Sequence, residues 1–286
     1  MPFRFKKSES PAKAVRRVYR ERVDAALECL HESRRPASIH GARKEIKKLR
    51  ALFRLVRGEI KGGTYRKGVK KLRAAADCLA AARDARVMLK AFEHLAGKKL
   101  PDFSHIERAL KKHARREARL FRKHDSVTVA ERLLRQANRR VARFKIQRTG
   151  WRAIEPGLRQ SYQRGRDFCR QVKAQPLPEH FHDWRKQVKD LWYYFCLLQP
   201  VCPAVTPAAI KNLEKLGEQL GEDHDLFLLE EFIQKNCPAH DESVALNKLI
   251  ATRQRKLRSA ARRLGTQIYA ETSSQFCHRM AAKSGE

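Results

Sequence analysis

The sequence predicts an all-α fold, and three observations support this prediction. Stretches rich in Ala, Leu, Arg, Lys and Glu, which are strong helix formers, fill most of the 286 residues. Glycine and proline are grouped at a few points between these stretches, where helices are expected to end. No segment shows the alternation of apolar and polar residues that is typical of a β-strand.

The helix breakers divide the chain into nine predicted helices. The breaks lie at Gly62–Gly63, from Gly97 to Pro101, around Gly150, at Pro176 and Pro178, from Pro200 to Pro207 and at Pro238. The predicted helices, in chain order, cover residues 10–34, 37–60, 64–96, 104–124, 127–148, 151–175, 179–199, 207–235 and 241–264. Each of them is long enough to bury one face against its neighbours.

The charge of the chain points to a polyanionic partner. There are 64 Lys and Arg against 31 Asp and Glu, a formal net charge of +33, yet 42% of the residues are hydrophobic. The apolar content excludes a disordered basic tail, and no uncharged run approaches the ~18–20 residues that span a membrane. A compact chain with this excess of positive charge repels itself, and a bound polyanion relieves the repulsion.

The cysteines indicate a reducing compartment. Their number, seven, is odd, and no two of them form a CxxC pair. We therefore expect buried, reduced thiols rather than a disulfide scaffold or a zinc site, and no cofactor. No apolar segment of the signal-peptide kind follows the basic N-terminus, so a cytoplasmic location is expected.

An internal repeat is the most informative feature of the sequence. Residues 39–50 and 181–192 share the pattern apolar-His-x-x-Arg-Lys-x-apolar-Lys-x-Leu. An Arg83-Asp84 pair follows the first copy at nearly the distance at which His224-Asp225 follows the second. The repeat predicts a tandem duplication of about four principal helices each, with residues 1–149 and 150–286 as the two repeats.

Each copy of the repeated segment places cations beside an apolar stripe. On a helix, Arg43, Lys44 and Lys47 share the face of His40, and Arg50 and Arg54 extend its flank. The apolar stripe holds Ile39, Ala42, Ile46, Leu49, Phe53 and Val56. The second copy repeats this with His182, Arg185, Lys186 and Lys189 beside Phe181, Trp184, Leu191 and Phe195. A lone basic helix is usually a solvated face, but its occurrence in both repeats favours a shared anion-binding groove.

The residues alone leave several roles open for His40 and His182. Each can cap or pack at a helix start, contact an anion, bind a metal or carry a phosphoryl group. Anion contact is favoured, because neighbouring Arg and Lys repel cations. Asp84 and Asp225 are predicted to hold basic side chains of the groove in position.

These residues resemble the conserved histidine α-helical domain family, known as CHAD. The likeness rests on His-Gly-Ala-Arg-Lys-Glu-Ile-Lys-Lys-Leu-Arg at 40–50, His-Asp-Trp-Arg-Lys-Gln-Val-Lys-Asp-Leu-Trp-Tyr at 182–193 and the two pairs, and extends over about residues 10–265. It implies two four-helix bundles related by a pseudo-two-fold axis, with a basic groove or cavity between them that binds inorganic polyphosphate. It also implies association with polyphosphate granules, and a triphosphatase or another polyphosphate-metabolising enzyme as a separate partner chain.

The resemblance and the cationic stripes together define the candidate site. The expected polyphosphate-binding residues are His40, Arg43, Lys44, Lys47, Arg50, Arg54, Arg83, Tyr162, Arg164, Arg166, His182, Arg185, Lys186 and Lys189. Two departures are Ala81-Ala82, where the family has a glycine-containing turn, and Trp192, which replaces an arginine.

The leading hypothesis is therefore non-enzymatic polyphosphate binding, with no catalytic residue and no metal ligand. Binding of single-stranded RNA or DNA ranks second, because only 8% of the residues are aromatic. Trp184 and Phe195 are expected on the core side, with Trp192 and Tyr193 as the exceptions. A metal-dependent phosphohydrolase built on His182, His224 and Asp225 is less favoured, since few acids lie near the basic helices. A membrane-surface role is weaker still.

Overall fold

The computed structural model describes residues 3–32, 36–97, 103–139, 145–238 and 241–282. These residues form eleven α-helices, two short 3₁₀ segments and no β-strand, which confirms the predicted all-α class. The helices are α1 (Pro11–Glu32), α2 (Pro36–Leu55), α3 (Gly62–Cys78), α4 (Ala80–Ala96), α5 (Ser104–Lys123), α6 (Ser126–Asn138), α7 (Glu155–Ala174), α8 (Pro178–Leu198), α9 (Pro207–Asn236), α10 (Asp241–Ile268) and α11 (Ser273–Ala282). Within the described ranges, no helix has the length and apolarity needed to cross a membrane.

The helix predicted over 64–96 is in fact two helices, because the chain turns at Leu79. The backbone N–H of Leu79 donates to the carbonyl of Ala76 at 3.2 Å, the tighter bond of a 3₁₀ turn. No glycine or proline marks this position, so the sequence did not reveal it. The Leu79 side chain is fully buried, and α3 and α4 pack in different parts of the interior. Tertiary packing therefore outweighs local helix propensity at this point.

Other helix ends also differ from the prediction: α2 ends at Leu55 rather than at residue 60, and α10 ends at Ile268 rather than at residue 264. Helix α6 ends at Asn138, and residues 145–148 of the helix predicted over 127–148 are not helical; residues 140–144 lie outside the described residues. Helix α11 was not predicted, although its start carries a capping box. The Thr272 N–H donates to Gln275 Oε1 at 2.9 Å and the Gln275 N–H donates to Thr272 Oγ1 at 3.2 Å.

The apolar interior consists of two clusters, and both repeats contribute to each. The first cluster joins α1, α2, α3 and α6 to α7, α8 and α11. The second joins α4 and α5 to the later part of α9 and the earlier part of α10. The two repeats therefore share their interior. Gly150, with a φ of 52° in the left-handed region, begins the 3₁₀ segment Gly150–Ala153 where the predicted boundary lies.

Candidate anion-binding site

Helix α2 carries its apolar and cationic residues on separate faces, as predicted. Every residue of the predicted apolar stripe is buried, namely Ile39, Ala42, Ile46, Leu49, Phe53 and Val56. On the neighbouring face, His40 and Lys44 are exposed, whereas Arg43, Lys47 and Arg50 are partly buried. The burial of one face of α2 thus holds a row of cations beside the core without covering it completely.

Helix α8 repeats this arrangement. Its predicted apolar stripe, Phe181, Trp184, Leu191 and Phe195, is buried. Arg185 and Lys189 are partly buried on the adjoining face. Lys186 is exposed, and its Nζ lies 2.7 Å from Oδ1 of Asp183. The two cations nearer the core, Arg185 and Lys189, are therefore the ones that the fold directs towards other helices.

The two cationic rows meet at Lys47. Burial and four positive charges together lower the pKa of Lys47 to about 7; burial has the largest effect, followed by Arg185, Arg83, Arg43 and Lys189 in decreasing order. Arg185 and Lys189 belong to α8 and Arg83 to α4, so cations from both repeats surround one lysine. We call Arg43, Lys47, Arg83, Arg185 and Lys189 the central cluster.

Two carboxylates lie within the central cluster. Arg83 Nη1 lies 2.9 Å from Oδ1 of Asp84 and 3.8 Å from Oδ1 of Asp225. Burial raises the pKa of Asp225, although the charges of Arg83 and Arg185 act in the opposite direction. The predicted positioning role of both aspartates is thus supported for Arg83. Further acids act on the edge of the cluster, Glu214 and Glu218 on Lys189 and Asp77 on Arg43, but the charges on Lys47 that lower its pKa are all positive.

In the first repeat, the helix break at Leu79 gives Arg43 a hydrogen-bond partner. Arg43 Nη1 donates a 2.5 Å hydrogen bond to the carbonyl of Ala76, in the last turn of α3. Carbonyl groups at a helix C-terminus lack partners within the helix and carry partial negative charge, so they attract a guanidinium. The break at Leu79 therefore provides the helix C-terminus at which Nη1 of Arg43 is held.

In the second repeat, glycine residues make room for the cations. Helix α9 runs unbroken through the equivalent region, and Gly217 and Gly221 are both buried. A Cβ at Gly217 would lie 3.1 Å from Cε of Lys189, and a Cβ at Gly221 would lie 3.5 Å from Nε of Arg185. The absent side chain at Gly217 gives Lys189 room beside the helix. Gly217 was not among the predicted site residues, although its spacing of four residues from Gly221 was visible.

The histidines border the central cluster and are held neutral. The rings of His182 and His224 lie 4.3 Å apart between centroids. Burial, His182 and Arg185 lower the pKa of His224 to about 3, and burial and Lys186 lower that of His182. Desolvation by the surrounding protein and the charge of Arg83 also lower the pKa of His40. At neutral pH these rings therefore offer N–H donors and acceptors without adding charge.

Lys90 lies near His40 and was not among the predicted site residues. The charge of Lys90 on α4 contributes to the lowered pKa of His40. Lys90 is exposed and lies seven residues after Arg83, hence on the same face of α4. That spacing was available in the sequence, but nothing there indicated that this face of α4 meets α2.

Arg54 and Arg50 lie beside a buried ion pair. The guanidinium of Arg54 donates to both carboxylate oxygens of Asp190, at 2.6 and 2.5 Å. Asp190 is 6% exposed and lies on α8, so this pair joins the two repeated helices. The structure therefore engages Arg54 in packing between α2 and α8. Arg50 lies near both groups, since the charge of Arg54 lowers its pKa and that of Asp190 raises it, after the larger effect of burial.

The predicted residues of α7 lie apart from the central cluster. Tyr162 is buried, its ring stacks on Phe276 of α11 at 3.9 Å, and its hydroxyl donates to the carbonyls of Ile268 and Glu271. Arg166 lies close enough for its charge to affect the pKa of Tyr162. Arg164 is exposed on the same helix. The structure thus places Tyr162 in the packing between α7, α10 and α11.

Comparison with known proteins gives a consistent answer. The family model described as the CHAD domain matches residues 15–234. Among solved structures, the crystal structure of the CHAD domain from the plant Ricinus communis is similar, with a TM-score of 0.64 at 14% sequence identity over 99% of this chain and 97% of that chain. A search for curated relatives found no match.

Proposed function

Since this chain belongs to the CHAD domain family, we propose that it binds inorganic polyphosphate through the central cluster and catalyses no reaction. The observation that carries this proposal is the environment of Lys47, where charges from α2, α4 and α8 converge on one partly buried lysine. Such a cluster repels itself in the free protein. A ligand with many closely spaced negative charges and no requirement for stacking would relieve that repulsion along its whole length.

The arrangement of the repeats supports a shared groove. Arg43 and Arg185 occupy equivalent positions in the two sequence copies, and both lie near the charge of Arg83. We propose that residues 1–149 and 150–286 form two helical bundles related by a pseudo-two-fold axis, with the central cluster in the groove between them. Polyphosphate held there would recruit the protein to polyphosphate granules, beside a separate triphosphatase or another polyphosphate-metabolising enzyme.

Binding is tested with purified protein and long-chain polyphosphate in a salt titration. If six to eight phosphates are neutralised, the slope of log K against log salt is about −4 to −6, by the behaviour of single strands. The double variant Arg43→Gln/Arg185→Gln should lose at least ~tenfold in affinity, or about 1.4 kcal/mol, and flatten the slope by about 1. The matched control, Arg152→Gln/Lys173→Gln, removes two exposed cations from elsewhere. Equal binding by wild type and the Arg43/Arg185 variant would contradict the proposal.

Single-stranded RNA remains the second candidate, and Trp192 is the residue that favours it. Trp192 is partly exposed, and Nζ of Lys189 lies 4.3 Å from the centroid of its ring. An aromatic ring beside a cation suits a stacked base. Tyr193, in contrast, is buried. Competition between polyphosphate and a homopolymeric RNA at equal phosphate concentration separates the two, and preferential release of polyphosphate by RNA would reverse their order.

A further inference from the structure

Helix α5 carries a second cationic surface, outside the central cluster. Eight exposed residues lie within an arc of roughly 140° around the helix, which rotates by about 100° per residue. They are Arg108, Lys111, Lys112, Arg115, Arg116, Arg119, Arg122 and Lys123. From the first to the last, this surface extends about 22 Å along the helix axis. We call these eight residues the α5 surface.

Most of the α5 surface lacks a counter-charge. Lys111 pairs with Glu107 at 2.7 Å, and Arg108 Nε donates to the carbonyl of Ser104. None of the other six cations makes an ion pair or a side-chain hydrogen bond with the described part of the chain. Like charges four residues apart on a helix cost about 0.2–0.5 kcal/mol per pair. The helix therefore holds several repulsive pairs that a polyanion would turn into favourable contacts.

The opposite face of α5 fixes the helix in place. Ile106 and Leu110 are buried in the second interior cluster, and His113 packs on Phe232 of α9 at 5.1 Å between ring centroids. Glu117 lies on this inner side and is partly buried, so it does not interrupt the α5 surface. The cations are thus presented to solvent from a helix that is anchored along its inner face.

The chemistry of the α5 surface fits a bare phosphate chain best. Single-stranded nucleic acid needs aromatic rings on which bases stack, and an interfacial membrane helix needs large apolar residues to insert. The α5 surface contains neither, since all eight of its members are Lys or Arg. Linear polyphosphate needs only cations at intervals along a line.

The position of α5 relates this surface to the central cluster. Helices α4 and α5 are consecutive in the chain, and Phe92, near the end of α4, packs on Phe103, just before α5, at 6.3 Å between ring centroids. Antiparallel packing then sets the C-terminal half of α5 beside the N-terminal half of α4, which carries Arg83. Arg83 and the α5 surface thus lie on two helices that pack together in the second interior cluster.

We propose that the α5 surface is a second polyphosphate-binding surface, which holds the part of a long chain that extends beyond the central cluster. This inference rests on the proposed function and adds chain-length selectivity to it. Once one segment is held by the central cluster, the next binds intramolecularly, at a high effective concentration. Long chains gain this second contact, whereas short chains occupy the central cluster alone.

The test compares tripolyphosphate with long-chain polyphosphate. The α5 variant replaces four exposed cations by glutamine, which keeps the helix: Lys112→Gln, Arg115→Gln, Arg119→Gln and Arg122→Gln. The matched control removes four exposed cations elsewhere: Arg152→Gln, Arg170→Gln, Lys173→Gln and Lys211→Gln. The α5 variant should bind long chains at least ~tenfold more weakly, with a salt slope shallower by about 3, while binding of tripolyphosphate stays unchanged. Circular dichroism establishes that both variants fold as wild type does.

Three results would overturn the inference. The first is wild-type affinity of the α5 variant for long chains, and the second is an equal loss of affinity in the control variant. A variant that keeps polyphosphate binding but loses binding of double-stranded RNA would assign the α5 surface to nucleic acid instead. Failure of the proposed function looks different: the Arg43→Gln/Arg185→Gln variant would then bind tripolyphosphate and long chains as wild type does.

Discussion

Polyphosphate binding is expected to bring a proton to Lys47. In the free protein, burial and the charges of Arg185 and Arg83 lower the pKa of Lys47 from 10.5 to about 7. A bound phosphate chain favours the charged ammonium and raises this pKa again. At pH 8, a group with a pKa of about 7 is about 0.9 neutral in the free protein, so the complex takes up about 0.9 proton at this site. At pH 6 the uptake falls to about 0.1 proton.

The sign of the pH dependence follows from this uptake. Because the complex binds more protons than the free protein above pH 7, affinity falls as the pH rises, by up to ~tenfold per pH unit from Lys47 alone. Calorimetric titration at pH 8 in two buffers of different ionisation enthalpy measures the number of protons taken up. His40 and His182 also have lowered pKa values and contribute to the total. The comparison of wild type with Lys47→Gln therefore measures the lysine together with its effect on His40.

The control for this experiment is Lys44→Gln, which removes an exposed cation from the same helix. Proton uptake at pH 8 should remain at the wild-type level in Lys44→Gln and should fall by about 0.9 in Lys47→Gln. An uptake that is the same in wild type and Lys47→Gln would refute the reasoning, because the central cluster would then not depress the pKa of this lysine.

Three further predictions concern stability and access to the site. Replacing Asp190 by Ala leaves the guanidinium of Arg54 without its partner and should lower the free energy of unfolding by ~3 kcal/mol in urea titrations; an unchanged midpoint would contradict this. Lys47→Met removes a self-repelling buried charge and should raise Tm of the free protein by ~2–4 °C while weakening polyphosphate binding; a lower Tm would show that the lysine stabilises the fold. Gly217→Leu fills the space beside Lys189 and should weaken binding ~tenfold, whereas retained affinity would show that Lys189 is dispensable.

The sequence predicted the features of the site that depend on helix geometry. The division of α2 and α8 into apolar and cationic faces follows from 3.6 residues per turn, and all the apolar residues predicted for these faces are buried. The pairing of Arg83 with Asp84 is likewise local in the chain. Such features need only the spacing of residues along one helix.

The features that escaped prediction depend on contacts distant in sequence. Arg54 lies on the cationic flank of α2, and only the approach of α8 pairs it with Asp190, 136 residues later. Tyr162 has the spacing of a repeated landmark but is drawn into packing by α11, a helix that was not predicted. The turn at Leu79 has no glycine or proline to announce it, because packing on either side produces it.

The two repeats differ in the helices beside the central cluster: the second has the single helix α9, whereas the first has two helices, α3 and α4, that meet at Leu79. Helix α9 is a single rod of about 45 Å that contributes Leu216 to the first interior cluster and Leu229 to the second, so it prevents the two clusters from swinging apart on its side. Helices α3 and α4 meet at Leu79 and belong to different clusters, and α4 shares the second cluster with the later part of α9. If polyphosphate binds at the central cluster as proposed, a change in the bend at Leu79 would move Arg83 on α4 relative to Arg185 and Lys189 on α8.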